Sequence, residues 1–136
     1  MKKAFLFVFL TALGCKSEKI GTDFNLKIYQ QTKVSNFTLT FDNVADSRCP
    51  INVQCFRAGE VVVDLSVNAN QKVQMCLGDC QIVQSSRKKG FVVQDSLDVS
   101  VDGQKYLFIL KQVKPYPVST TESKDKYEVN MQIEKR

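Results

Sequence analysis

An all-β fold, an antiparallel β-sandwich or small closed barrel of about eight strands, is predicted by three features of this chain. Apolar and polar residues alternate with a period of two along most of its length. The interruptions fall at turn-forming residues. No window beyond the first 15 residues spaces its apolar side chains as a helix would. Side chains two apart share one face of a strand, so each alternating run offers one face to a core and one to water.

The first element departs from this pattern. Lys2 and Lys3 precede an apolar run from Ala4 to Leu13, and Ala12-Leu13-Gly14-Cys15 follows as a cleavage signal. Ten apolar residues are too few to cross a hydrocarbon core about 30 Å thick, so the segment reads as a targeting signal. A small residue before a cysteine is the mark of a lipoprotein signal. Residues 1–14 are therefore expected to be removed and Cys15 acylated, which anchors the chain to a lipid bilayer. Residues 15–23 are polar and are expected to form a short tether, followed by one domain over 24–136. Lys16, and no Asp, follows Cys15, so the expected address is the cell envelope, with the outer membrane favoured.

The remaining runs are taken in order. Strands are expected near 24–30, 36–42, 59–67, 72–77, 80–84 and 91–95, then a hairpin of 97–101 with 105–113, then 126–134. Phe37, Leu39 and Phe41 alternate with polar residues, as do Val61, Val63, Leu65 and Val67. Tyr127, Val129, Met131 and Ile133 do the same near the C-terminus, where an edge strand is expected. Leu107 to Leu110 is apolar on both faces and belongs in the middle of a sheet. Asn68-Ala69-Asn70, Leu77-Gly78-Asp79, Lys89-Gly90 and Asp102-Gly103 supply the turns.

Cleavage before Cys15 would leave 122 of the 136 residues, enough for one domain. Loss of Lys2 and Lys3 lowers the net charge from +5 to +3, a mild excess. Arg87-Lys88-Lys89 is the densest basic cluster and reads as a solvated hairpin turn. No aromatic and basic residues interleave, so no nucleic-acid partner is expected.

Four cysteines remain after Cys15: Cys49, Cys55, Cys76 and Cys80. An even number in an exported domain reads first as two disulfides. Cys76 and Cys80 flank a Leu-Gly-Asp turn that can bring their α-carbons within bridging reach, and Cys49 and Cys55 enclose a short loop begun by Pro50. This local pairing is preferred. The crossed pairing of Cys49 with Cys80 and Cys55 with Cys76 would close longer loops and stabilise more. Met75, Cys76 and Cys80 could offer soft donors to Cu(I), and four thiolates could hold Zn(II). The cysteine spacings are not those of zinc ribbons and oxidation consumes thiols, so no metal and no cofactor is expected.

The segment Asp46-Ser47-Arg48-Cys49-Pro50, followed by Cys55-Phe56-Arg57-Ala58-Gly59 and the alternating Val61–Val67 run, resembles a family of small, uncharacterised bacterial secreted proteins and lipoproteins. The resemblance covers about residues 36–136, with Lys114-Pro115-Tyr116-Pro117 and the Tyr127 run in its C-terminal half. It implies no activity. It implies a self-contained Cys49/Cys55 unit, in agreement with local pairing, and it places Arg57 where a Trp is frequent.

The candidate partner-binding residues are Asp46, Arg48, Arg57 and Tyr116. Asp46, Ser47 and Arg48 read foremost as turn builders, since short polar side chains accept backbone N–H bonds. Tyr116, held between two prolines, is a rigid aromatic of the kind that anchors interfaces. Asp42 and Asp46 near Asn43 could suggest calcium, but their spacing matches no EF-type loop. Catalysis is not expected. The chain has no histidine, no G-x-S-x-G and no phosphate-cradling glycine loop. The expected role is a non-catalytic binding domain engaging an envelope protein or polysaccharide. An inhibitor of a hydrolase such as a lysozyme or protease is the main alternative, and a Cys/Met metal-binding protein the other.

Overall fold

The computed structural model describes residues 20–81, 90–118 and 123–136. Its elements are β1 (Asp23–Lys27), β2 (Gln31–Val34), β3 (Phe37–Asp46), β4 (Glu60–Val67), β5 (Gln71–Gly78), β6 (Asp95–Val101), β7 (Gln104–Lys114) and β8 (Glu128–Lys135), with a single 3-10 turn over Lys124–Lys126. They form two four-stranded antiparallel sheets, ordered β1-β8-β7-β6 and β2-β3-β4-β5. Neither sheet closes on itself, so the architecture is a sandwich and not a barrel. Cys15 and the leader lie outside the described residues.

Each strand turns its alternating apolar residues inward. Leu39, Phe41, Leu65 and Met75 from one sheet meet Leu26, Leu110, Met131 and Ile133 from the other, all fully buried. Phe37 packs edge-on to Tyr106, with ring centroids 5.0 Å apart, and stacks on Phe108. The Tyr106 hydroxyl donates to Asn36 Oδ1 at 2.9 Å, so this buried aromatic keeps its polar end satisfied. Burying each such large side chain contributes about 1.5–3 kcal/mol. Asp102 and Gly103, both at positive φ, close the β6–β7 hairpin with the backbone that a two-residue turn demands.

Several expectations are corrected. β8 is not an edge strand: β1 covers it from Asp23↔Gln132 to Lys27↔Glu128, and β7 pairs on its other side. Alternation reports which faces are wet but says nothing of edges. β2 lies in a run not expected to be a strand, because only Val34 of its four residues is buried. The chain leaves β1 at Lys27, and Tyr29 at φ 65° turns it toward the other sheet. Of the strand expected over 91–95, one bridge forms, Val92↔Gly78, and β6 begins only at Asp95. Of the run at 80–84, Cys80 and Gln81 are not in a strand, and 82–84 lie outside the described residues. Within the 15–23 segment expected as a tether, Ile20 bridges Ile133 and β1 begins at Asp23; residues 15–19 lie outside the described residues.

β5 and β6 are the neighbouring edges of the two sheets, and hydrogen bonds from Gln71, Cys76 and Gly78 of β5 reach Ser100 and Asp95 of β6 and Val92 just before it. Gly78 and Val92 exchange backbone hydrogen bonds at 2.8 Å, and the buried Asp95 carboxylate accepts the Cys76 N–H at 3.0 Å. The local disulfides form: Cys49–Cys55 and Cys76–Cys80, with α-carbons 5.9 and 6.0 Å apart. Both lie at one end of the sandwich, where β3, β5 and β7 finish and β4, β6 and β8 begin. Ile20, against Ile133, sits toward the opposite end.

Candidate functional site

The loop end of the sandwich is organised around Arg48. β3 runs to Asp46, whose carboxylate then meets the Arg48 guanidinium two residues on: Nε donates to Oδ1 at 2.9 Å and Nη2 to Oδ2 at 2.6 Å. Nη1 donates to the Val113 carbonyl at 3.0 Å and Nη2 also to that of Pro115 at 2.9 Å. Tyr127 Oη donates to Asp46 Oδ2 at 2.9 Å, and the guanidinium stands 4.6 Å from the Tyr116 ring centroid. The two charged side chains are only 9% and 5% exposed. Planar, bidentate pairing suits a fork-shaped cation, which here joins the end of one sheet to the end of the other. Lys114-Pro115 is a cis peptide bond and follows β7 directly.

Gly59 closes the same joint. It sits at φ +72°, and a Cβ there would lie 2.0 Å from the Ser47 carbonyl oxygen. The Ser47 hydroxyl donates to the Glu60 carbonyl at 3.0 Å, and Cys49 N–H donates to the Ala58 carbonyl at 2.8 Å. The loop from 47 to 59 is thus fastened at its base, and the Cys49–Cys55 disulfide ties its tip.

This fastened loop exposes apolar side chains. Ile51 and Val53 point outward, and Phe56 is fully exposed. Ile51 N–H donates to the Pro117 carbonyl at 3.1 Å, which brings the loop against the segment carrying exposed Tyr116 and Val118. Phe91 and Val93, on either side of the bridging Val92, are exposed as well. Scattered apolar residues on a surface are ordinary, whereas these stand grouped on three neighbouring loops.

Two cavities open here. A small apolar pocket of about 210 Å³ is formed by Phe91, Val92 and Val93 against Ala58, Leu77 and Tyr116. A larger open groove of about 810 Å³ runs along the last residues of β7 and the first of β8. Arg48, Leu77 and Tyr116 line both, so the two adjoin. Lys111, Lys114 and Lys126 border the groove together with Glu128. Lys111 is paired with Asp23 at 2.7 Å. Lys114 and Lys126 have no acidic partner among the described residues.

The four sequence-derived candidates therefore separate. Asp46 and Arg48 are buried and serve the joint. Tyr116 lies on the surface between pocket and groove. Arg57 is exposed and pairs with Asp79 through Nε at 2.9 Å and Nη2 at 2.6 Å. The calcium grouping does not form: Asp46 is held by Arg48 and Tyr127, while Asp42 takes Ser66 and Lys72. Glu60, Cys76 and Cys80 cluster within 4.8 Å, but both sulfurs are joined in the disulfide, so neither offers a thiolate. Sequence reading missed Ile51, Val53, Phe56, Phe91, Val93 and Val118. For Ile51, Val53, Phe56 and Val118 the available signal was an apolar residue in or beside a Pro- or Cys-bounded loop; Phe91 and Val93 were hidden by the strand expected over 91–95. Comparison of the chain with protein-family models, curated proteins and solved structures finds no match.

Proposed function

We propose that this chain is a membrane-anchored, non-catalytic binding domain of the cell envelope, and that it engages a protein partner through the loop end of the sandwich. One observation carries the reading: large apolar side chains stand exposed on loops that a disulfide, a buried ion pair and backbone hydrogen bonds hold in place. Side chains held before binding lose little freedom on contact, so more of their burial is retained as affinity. Loops on a rigid scaffold are also where binding residues concentrate. The leader and Cys15 support the anchor. Ile20 lies toward the other end of the sandwich, so an anchored chain would present these loops away from its own bilayer.

Hydrolase inhibition is the second reading, favoured by the cross-linked 49–55 loop with Ile51 and Val53 exposed on it. Such a loop can enter a cleft without first becoming ordered. A photo-crosslinking residue at Phe56 or Phe91, with a control at exposed Asp98 on β6, tests the binding role. A discrete adduct from the loop positions alone supports it. Equal labelling from all three, or none, rejects it. Intact mass of the membrane-extracted chain tests the anchor, which requires acyl mass on Cys15.

A further inference from the structure

We infer that the loop end receives a protein segment carrying one bulky apolar residue next to carboxylates, and this rests on the binding role proposed above. The pocket beside Phe91, Val93 and Tyr116 is apolar, and at about 210 Å³ it holds a single large side chain. Arg48, Leu77 and Tyr116 are shared with the groove, so a chain anchored in the pocket continues directly into it. There neither Lys114 nor Lys126 forms an ion pair with a described acid. Among the described residues, Glu128 is the one acidic side chain on the groove wall. It sits opposite Lys114 on one side and Lys27 on the other in the strand register, so cations outnumber it locally. The surface is thus complementary to an apolar anchor followed by negative charge.

The aliphatic share of the surface separates this occupant from a polysaccharide. Ile51, Val53, Val93 and Val118 give a sugar neither hydrogen bonds nor a stacking face, whereas they suit apolar protein side chains. The host's own bilayer is disfavoured by the placement of Ile20 near Ile133. That contact lies five residues along β8 from Glu128, roughly 16 Å at about 3.3 Å per residue.

The experiment is selection of peptides from a random displayed library on the full mature chain in detergent. Binding of the enriched peptides is then measured by fluorescence polarisation. Enriched sequences should pair an aromatic or large aliphatic residue with Asp or Glu within three positions. Tyr116→Ala should weaken binding at least tenfold. Lys114→Glu with Lys126→Glu should do the same, and should restore binding to a peptide whose acids are changed to Lys. Both lysines are exposed, and circular dichroism verifies that the variant folds despite the new like-charge pair that Lys114→Glu sets against Glu128. Peptides that bind at the pocket without acidic bias, or that ignore the lysine reversal, overturn this inference and leave the binding role standing. Selection of no peptide, with no loop-specific crosslink from Phe56 or Phe91, removes both. Concentration-dependent dimerisation through Phe56, or preference for vesicles containing phosphatidylglycerol over any peptide, assigns the surface to another occupant and overturns the inference.

Discussion

Replacing Arg48 by Met is the sharpest test of how the loop end is held. The substitution keeps a long apolar stem and removes the guanidinium. It deletes both charged bonds to Asp46 and the bonds to the carbonyls of Val113 and Pro115. Asp46 is then left with Tyr127 Oη and the Arg48-position backbone N–H as its donors. Its side chain is 5% exposed, so water cannot replace the lost cation. Removing one member of a buried pair costs about 3–5 kcal/mol, mainly because the other charge stays buried. For a domain of this size that corresponds to a melting point lower by about 10–20 °C. Urea unfolding followed by circular dichroism, at unchanged m-value, reads the loss directly. Pairing Arg48→Met with Asp46→Asn should recover part of it, since the stranded charge is gone. A loss below about 1 kcal/mol for Arg48→Met would refute the argument, because that is what an exposed ion pair contributes.

Four further outcomes follow from the same geometry. Gly59→Ala should cost several kcal/mol, about 3 or more, by expression and thermal melting, since its Cβ would collide with the Ser47 carbonyl; Gly103→Ala, at φ +80° but with open space around it, should cost only about 1 kcal/mol. Changing Cys49 and Cys55 together to Ser should lower stability by about 2 kcal/mol in denaturant titration, the chain-entropy value for so short a loop. Changing Cys76 and Cys80 to Ser should cost more, because these sulfurs are buried and their removal also leaves space in the core. Phe56→Ser should leave the melting point within about 0.5 kcal/mol of the parent chain in stability terms, while abolishing the loop-specific crosslink.

The contrast between Arg48 and Phe56 shows why the candidate site was only partly legible. Asp46-Ser47-Arg48 stands out in the sequence as a polar cluster with motif-like spacing, and it proves to be the buried fastening of the fold. The carbonyls that Arg48 binds belong to Val113 and Pro115, more than 60 residues away. Phe56, Phe91 and Val93 are inconspicuous in the sequence, because an apolar residue, alone or in a short run such as Phe91-Val92-Val93, more often belongs to a core. Tyr116 was legible for a local reason: flanking prolines restrict it.

Alternation with a period of two determines, from the sequence alone, that this chain is all-β and which residues face its core. That rule is local, because neighbouring side chains on a strand point to opposite faces whatever lies beyond them. The short Cys76–Cys80 span and the Asp102-Gly103 turn are likewise decided within a few residues. Strand order, the interior place of β8, the unexpected β2 and the union of three loops into one apolar surface were decided only by the tertiary structure. These depend on which backbone edges meet across the chain and on which long-range contacts compensate the entropy of closing the intervening loops.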